Sequence, residues 1–305
     1  MQLTVVFPLE FFYVARKQQA CLKRLELDPQ ICVRQITTLE EKTLQKHVSH
    51  KLFPGHRELC LEVKAKNFRP ALEAAHPIIS AMRLLHPWLV GINFCLVHDF
   101  PRTGDIEIIP ANAPMEIFWS PFGAKRDSYR FGDEDVGVFN RLYKGCKKAI
   151  SKDSRFRFAV ARFNQSYSAK YFEDKLIDWM ITLEAIFLTG ESEKAFRLRA
   201  YATIFLGQTQ TEKEEIWSLM KKAYDLRGKI VHNGVFLPRL LKVGNAKTSR
   251  QDFMNKIEGH VRASLRKYVE WKMTNKTLDF HEVLDESIYD IRTRSFLLPH
   301  AESSS

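Results

Sequence analysis

Residues 224–234 read YDLRGKIVHNG. This stretch places an arginine, Arg227, five positions before a histidine, His232, in an R-x4-H pattern. A capping box that begins at Thr211 opens the preceding helix, about 212–231, and the Asn233-Gly234 pair ends it. The two side chains are therefore predicted to lie near a helix C-terminus. Arginine and histidine recur at this spacing by chance in many proteins, so the surrounding sequence decides what the pattern means.

The second half of the chain has a helical period from about residue 132 onward. In the strongest example, Leu176, Met180, Leu183 and Phe187 form one apolar stripe. Helices are predicted over about 133–150, 169–188, 193–206, 212–231, 249–273 and 281–289. Residues 132–300 are accordingly predicted to form an all-α helical bundle.

The first half of the chain mixes strand and helix periods. Alternating segments such as Leu59–Val63 are typical of half-buried strands. Strands are predicted over 3–7, 31–37, 58–64, 90–98, 105–109 and 115–119. A helix is predicted over 70–85, and Pro77 is expected to kink or split it. The predicted fold class is α+β, with a mixed domain of residues 1–125 before the helical domain.

The composition excludes several classes of protein. The 305 residues are 45% hydrophobic and 27% charged, which is typical of a globular chain and not of a disordered or fibrous one. No apolar run approaches the roughly 20 residues of a membrane-spanning helix. The N-terminus lacks the basic residues and cleavage site of a signal peptide, so we expect a cytoplasmic protein with no membrane partner. The net charge of +11 favours a polyanion such as nucleic acid.

No metal or cofactor site is indicated by the sequence. The five cysteines are an odd number without a C-x-x-C pair, and we expect reduced thiols. His47 and His50 would lie one turn apart on a helix, but no third ligand is evident. The motifs of phosphate-binding loops, dinucleotide-binding folds, zinc proteases and serine hydrolases do not occur. We therefore expect no cofactor and no metal.

Three further motifs accompany the R-x4-H pattern. Residues 183–187 read LEAIF, residues 196–200 read FRLRA and residues 224–227 read YDLR. Over about residues 150–270, this order and spacing resemble the HEPN superfamily (higher eukaryotes and prokaryotes nucleotide-binding), and within it the Apea-like branch. The sequence departs from the branch at Gly228, where a small polar residue is usual, and at Asn233, which is inserted before the glycine.

The resemblance implies a dimeric helical bundle that is, in many members, a metal-independent endoribonuclease. His232 would then take a proton from a ribose 2′-hydroxyl and return one to the leaving oxygen, since histidine titrates near neutrality. Arg227 would hold the equatorial oxygens of the phosphorane. The products would carry 2′,3′-cyclic phosphate and 5′-hydroxyl ends. By the same resemblance, the substrate would be RNA, with tRNA as one candidate, and the biological role would be defence against phage.

Arg227 and His232 do not share a face of an ideal helix, because five residues turn the direction by about 140°. They converge if the helix unwinds near Gly228 or Asn233, or if they meet across the two-fold axis of a homodimer, which the resemblance favours. The alternatives to catalysis are an ion pair of Arg227 with Glu184 or Asp225, and a helix-capping role for His232.

The other candidate residues are assigned from their position near this pattern. Glu184 is either a buried partner of Arg227 or an accessory residue of the site, and Asp225 and Asn233 are further accessory candidates. Residues 237–276 carry a large excess of Lys and Arg over Asp and Glu, which suits an RNA backbone and equally suits a solvated outer face. The RNA-binding candidates are Lys229, Arg197, Arg199, Arg262 and Arg266.

Two other functions stay open at this stage. One is a non-catalytic HEPN module that binds RNA or nucleotide and mediates the assembly of a dimer or of a partner complex, which the glycine at position 228 favours. The other is a partner of a nucleotidyltransferase, or an antitoxin-like protein. Residues 1–125 carry no motif of their own, and a sensor, a substrate selector and an inhibitory cover are all compatible with them.

Overall fold

The structure is a computed structural model that describes residues 3–9, 12–14, 24–47, 59–87, 90, 92, 94–98, 106–110, 129–190 and 192–289. The chain divides into two compact units, Met1–Cys146 and Lys147–Ser305. The division lies inside one unbroken helix, Asp133–Lys152. The sequence predicts the boundary at residues 125–132, where proline and glycine cluster.

The first unit is built on a six-stranded antiparallel sheet. Its elements are β1 (Leu3–Pro8), β2 (Phe12–Val14), β3 (Arg24–Asp28), β4 (Ile31–Gln35), α1 (Thr38–His47), β5 (Leu59–Ala65), α2 (Phe68–Leu85), β6 (Phe94–His98), β7 (Glu107–Pro110), β8 (Tyr129–Phe131) and the start of α3 (Asp133–Lys152). The sheet has the order β3-β4-β5-β1-β6-β7, and each neighbouring pair is antiparallel. Strands β2 and β8 pair in parallel as a separate sheet.

The central strands of the six-stranded sheet are buried on both faces. All residues of β5 from Leu59 to Val63 are buried, and successive side chains point to opposite faces. On one face, Cys60 and Val6 pack against Leu44 of α1. Helix α2 packs against β5 and β1. Covering the sheet with helices in this way removes most of its apolar surface from water.

Most sequence predictions for the first half match the structure. The strands predicted at 3–7, 31–37, 58–64, 90–98 and 105–109 correspond to β1, β4, β5, β6 and β7. The predicted strand 115–119 lies outside the described residues. Helix 70–85 is confirmed as α2, and Pro77 lies within it without ending it. Helix α1 and the strands β2, β3 and β8 are not among the predicted elements.

The second unit is a helical bundle with one small β-hairpin. Its elements after α3 are α4 (Ser154–Ser166), α5 (Phe172–Phe187), α6 (Lys194–Leu206), α7 (Gln210–Asn233), β9 (Leu240–Val243), β10 (Ala246–Ser249), α8 (Arg250–Thr274) and α9 (Phe280–Tyr289). Helix α5 is central and packs against α4, α6, α7 and α8. An aromatic core forms around Phe280, whose ring centroid lies between 4.8 and 6.4 Å from those of Phe187, Phe205, Tyr268 and Trp271.

The predicted helices of the second half are all present, with two corrections. The half is not entirely helical, because β9 and β10 form an antiparallel hairpin whose turn holds Gly244 at a φ of 57°. Helix α7 begins earlier than predicted, because the capping box uses Thr209 and not Thr211. The Thr209 side chain accepts a hydrogen bond from the backbone N–H of Glu212, and the Glu212 carboxylate accepts one from the backbone N–H of Thr209. Helix α4 was not predicted.

The described ranges contain no helix with the length and apolar character needed to cross a bilayer. Their cysteines, Cys32, Cys60, Cys95 and Cys146, are buried and form no disulfide with one another. Cys21 lies outside the described residues.

Candidate functional site

Arg227 and His232 lie on one continuous helix, α7. The helix extends unbroken to Asn233 and ends where Gly234 adopts a φ of 62°, with its N–H bonded to the carbonyl of Ile230. Neither Gly228 nor Asn233 interrupts it, so the two side chains leave the helix in directions about 140° apart. Within one copy of the chain, Arg227 and His232 therefore do not converge on one point.

Arg227 is half-buried against α5, with about a quarter of its side chain exposed. Its Nη2 lies 3.9 Å from Oε2 of Glu184, which is a long distance for an ion pair. The Arg227 Nε and the other Glu184 carboxylate oxygen, Oε1, are buried, and neither has a hydrogen-bond partner in the described part of the chain. The predicted neighbour of Arg227 is present, but its pairing leaves hydrogen-bonding capacity unused.

Tyr224 is a member of this group that the sequence analysis did not assign. It lies one turn before Arg227. Burial raises the pKa of its phenol, and the Glu184 carboxylate raises that pKa further, whereas Arg227 lowers it. The i, i+3 spacing of Tyr224 and Arg227 was a signal that could have identified it. Tyr224, Glu184 and Arg227 thus form one partly buried polar cluster.

His232 lies on the exposed side of α7. It is solvent-exposed and makes no hydrogen bond or ion pair with any described residue. Asp225 lies seven residues earlier, at nearly the same angle around the helix, and is exposed together with Lys229 and Asn233. The accessory candidates Asp225 and Asn233 therefore accompany His232, whereas Glu184 accompanies Arg227.

Along the chain on either side of His232, four apolar side chains are exposed, here called the apolar tip. Glu173 and Arg250 hold this part of the chain through the backbone of Leu237: the Glu173 carboxylate accepts from its N–H at 2.6 Å, and the Arg250 guanidinium donates to its carbonyl at 3.0 Å. The segment is thus anchored while its large side chains point to solvent. The apolar tip consists of Val231 (49% exposed), Val235 (41%), Phe236 (77%) and Leu240 (67%).

Two of the predicted RNA-binding arginines lie on α6. Arg197 donates to Tyr201 and to Asp285, so its guanidinium is engaged inside the unit. Arg199 donates to the carbonyl of Ala195, and its guanidinium lies 4.8 Å from the indole centroid of Trp217 on α7. Arg199 therefore belongs to the surface between α6 and α7.

The other two, Arg262 and Arg266, lie on α8. Arg262 pairs with Glu258 at 2.5 Å, and Tyr167, which follows the end of α4, also donates to Glu258. The Glu258 carboxylate also interacts with Lys175 of α5, whose burial lowers its pKa to about 8. Arg266 pairs with Glu270.

Arg227 lies on a different side of α5 from the group formed by Arg262, Glu258 and Lys175. Lys175 and Glu184 are nine residues apart, which points them to opposite sides of that helix. Arg262 lies on the Lys175 side and Arg227 on the Glu184 side. The predicted RNA-binding residues therefore do not form one surface.

In the part of the chain that the structure describes, no three histidine, cysteine, aspartate or glutamate side chains cluster closely enough to hold a metal ion. His47 is the last residue of α1, and His50 lies outside the described residues. Comparison with protein-family models, with curated proteins and with solved structures finds no match for this chain. The assignment of function therefore depends on the residues and their geometry.

Proposed function

We propose that this chain is a metal-independent endoribonuclease of the HEPN type, which cleaves RNA at sites formed by two copies of the chain. One observation carries the proposal. Arg227 is half-buried with its Nε unpaired, and His232 is exposed at the end of the same unbroken helix. These are the two functional groups that phosphodiester cleavage through a 2′-hydroxyl requires.

The surroundings of Arg227 suit it to bind a phosphate. A guanidinium in a partly desolvated position interacts more strongly with an anion than one in bulk water. Glu184 lies near enough to keep the arginine in place but too far to saturate its donors. Because that distance is long and part of the Arg227 side chain is exposed, a phosphate can be bound without breaking a short ion pair.

The exposed imidazole of His232 suits the proton transfers. It removes the proton of the ribose 2′-hydroxyl, the 2′-oxygen attacks phosphorus, and the bond to the 5′-oxygen breaks. The proton passes from the imidazole to that leaving oxygen, so the reaction is balanced without a metal. The products are a 2′,3′-cyclic phosphate and a 5′-hydroxyl.

The direction of the two side chains supports a composite site. A two-fold axis near the end of α7 brings Arg227 of one copy towards His232 of the other and creates two equivalent sites. The apolar tip lies beside His232, and a contact between two such tips would remove those side chains from water. Homodimerisation through this end of the helical unit is part of the proposal.

Cleavage of total RNA and of tRNA in EDTA tests the proposal. The wild-type chain is expected to produce cyclic phosphate ends, and Arg227→Ala and His232→Ala are each expected to lower the rate at least about 100-fold. Phe158→Ala, which removes an exposed aromatic side chain from α4, serves as a control with full activity.

Mixing the two inactive variants distinguishes a composite site from a site within one chain. In a mixed dimer, one site loses both groups and the other keeps both. Random exchange of equal amounts is therefore expected to restore about a quarter of wild-type activity. If the mixture stays inactive while each variant still dimerises, the composite site is wrong. If both single variants cleave as fast as wild type, the assignment of Arg227 and His232 is wrong.

A non-catalytic module that binds RNA or nucleotide and mediates assembly is the second candidate. The observations that favour it are the glycine at position 228 and the absence of any described group that orients the His232 ring. It predicts RNA binding and dimerisation without cleavage in any buffer.

By the resemblance of its helical half, the nuclease would act on host RNA in defence against phage, with the first unit as a sensor, a substrate selector or an inhibitory cover.

A further inference from the structure

A cleft of about 410 Å³ lies between α6 and the first half of α7. Its size is at the lower end of the range for small-molecule sites, about 300–1,000 Å³. Trp217 forms one wall and Ile204 lies on the α6 side. The polar lining residues are Thr203, Gln210, Lys213, Glu214 and Ser218. One aromatic wall with a few polar groups is the composition of a site for a planar ring that also carries hydrogen-bonding edges.

The indole of Trp217 is fixed in position by α6. The Arg199 guanidinium lies 4.8 Å from the indole centroid and is itself held by its bond to the Ala195 carbonyl at 2.9 Å. The ring of Phe196 meets the indole edge-on, with centroids 5.8 Å apart, and nearly half of Phe196 is exposed. Fixed aromatic rings beside an arginine are the platform on which unpaired nucleic-acid bases stack.

The polar groups of the cleft include unused bonding capacity. Thr203 Oγ1 is buried and makes no hydrogen bond within the described residues. Such a buried hydroxyl is costly unless something bonds to it. The Lys213 ammonium makes no ion pair with any described residue. The Gln210 amide donates to Glu214, which leaves its carbonyl oxygen able to accept a bond from a base.

The cleft lies on the flank of α7 that leads to Arg227. Trp217 and Tyr224 are seven residues apart and differ by only about 20° around the helix, and Arg227 follows one turn after Tyr224. The ten residues from Trp217 to Arg227 span about 15 Å along the axis. That distance corresponds to a few nucleotides of an extended strand.

We infer that the cleft between α6 and α7 binds one base of a single-stranded RNA, stacked on Trp217, while the phosphate to be cleaved lies at Arg227. The inference rests on the proposed function, because it takes the polymer to be RNA. Lys213 and Arg199 neutralise backbone phosphates near this base, and Gln210 faces its edge. The enzyme is thereby selective for unpaired strands that extend several nucleotides from the cleaved bond.

The test measures binding and cleavage separately. Binding of labelled oligoribonucleotides to His232→Ala protein is measured by fluorescence anisotropy, with added Trp217→Ala or Trp217→Phe. The alanine variant is expected to bind an eight-nucleotide strand about 5- to 150-fold more weakly, and the phenylalanine variant to stay within about threefold of the parent. A dinucleotide, which is too short to reach the cleft from Arg227, is expected to bind all three proteins equally. The control Phe158→Ala is expected to leave the long strand bound.

Cross-linking provides a measurement that does not depend on a substitution. An eight-nucleotide strand with 4-thiouridine at each position in turn is irradiated on His232→Ala protein, and the adducts are mapped to peptides. Adducts within 203–218 from one or two positions are expected.

If no position yields such adducts, or if Trp217→Ala binds the long strand like its parent, the inference is wrong. If Trp217 governs binding but wild-type protein never cleaves, the cleft stands and the nuclease proposal fails. If wild type cleaves and Trp217→Ala cleaves long strands with an unchanged KM, the nuclease proposal stands and the cleft does not bind the RNA.

Discussion

The two units contain two contrasting groups of charged side chains. In the first unit, the carboxylate of Glu40 is completely buried and both its oxygens are fully used. Arg34 donates to it twice, at 2.7 and 3.0 Å, and the backbone of Thr37 and the ring of His98 contact it at 2.8 and 2.7 Å. In the second unit, Glu184 and Arg227 are 3.9 Å apart, and each keeps a buried atom unpaired.

This difference separates a structural group from a candidate site. Burial alone would raise the pKa of Glu40, but the bonds from Arg34, His98 and Thr37 outweigh it and hold that pKa far below its usual value. Such a group is saturated and has no capacity left for a ligand. The Glu184–Arg227 pair is long and leaves about a quarter of the Arg227 side chain exposed, which suits the proposed binding of a phosphate.

The largest predicted effect is the loss of Glu40. Glu40→Ala leaves the largely buried Arg34 with Glu62 as its one described carboxylate partner, and we expect the free energy of unfolding of the first unit to fall by about 3–5 kcal/mol. Hydrogen–deuterium exchange of peptides from β4 and β5 measures it, with peptides from α5 as an internal reference. The matched control is Glu41→Ala, next along α1 and exposed, which is expected to change little.

The dependence of stability on acid pH provides a second test of the role of Glu40. A carboxyl whose folded-state pKa is lowered stabilises the fold above its unfolded-state pKa, about 4.5, and loses that contribution as the pH falls through the folded-state value. Wild-type protection in β4 and β5 is therefore expected to decrease below about pH 4.5. Protection in Glu40→Ala should depend less on pH over that range. Equal slopes would show that Glu40 is not ionised in the fold.

A smaller effect is expected for Glu184. Because its pair with Arg227 is long and partly exposed, Glu184→Gln should change the free energy of unfolding by less than about 1 kcal/mol. Glu258→Gln makes the same chemical change at the short Glu258–Arg262 pair and is expected to destabilise more. Denaturant unfolding of the two variants compares them directly. A loss at Glu184 that matches the loss at Glu258 would mean that the Arg227 pair is structural, and the contrast between the units would disappear.

The sequence predicted helical elements well where the apolar period was regular. The stripe from Leu176 to Phe187 predicted α5, and the caps around Asn233 placed the end of α7. Helix α4 was missed because charged and apolar residues alternate from Arg155 to Phe158, a pattern that does not indicate a helix. The hairpin was missed because its Gly244-Asn245 turn lies within a strongly basic segment.

The candidate site was predictable only in part. Short motifs along the chain identified Arg227, His232 and Glu184, because those residues belong to the resemblance. The stacking of Arg199 on Trp217 depends on how α6 packs against α7, which no local pattern specifies. The burial of the Arg227 Nε and of the Thr203 hydroxyl likewise follows from packing between helices.

The smallest predicted effect concerns Gly228, the departure from the resemblance nearest to Arg227. A Cβ at this position would meet no atom within 4 Å, and glycine inside a helix costs about 0.5–1 kcal/mol relative to alanine. Gly228→Ala is therefore expected to raise the free energy of unfolding by about that amount in denaturant unfolding. Gly259→Ala on α8 is the matched control, because its Cβ also meets nothing, and the same gain is expected.

The two glycine variants also bear on the space beside Arg227. Because a Cβ at position 228 meets no atom of its own chain, the proposed RNA cleavage should persist in Gly228→Ala and in Gly228→Ser, as in Gly259→Ala. Suppose that both variants at position 228 gain stability and lose cleavage, whereas Gly259→Ala keeps it. The added atoms would then obstruct either the RNA strand or the second copy of the chain. Analytical ultracentrifugation separates these two causes, because an obstructed partner shifts the variant towards monomer, whereas an obstructed strand leaves the dimer intact and weakens only RNA binding.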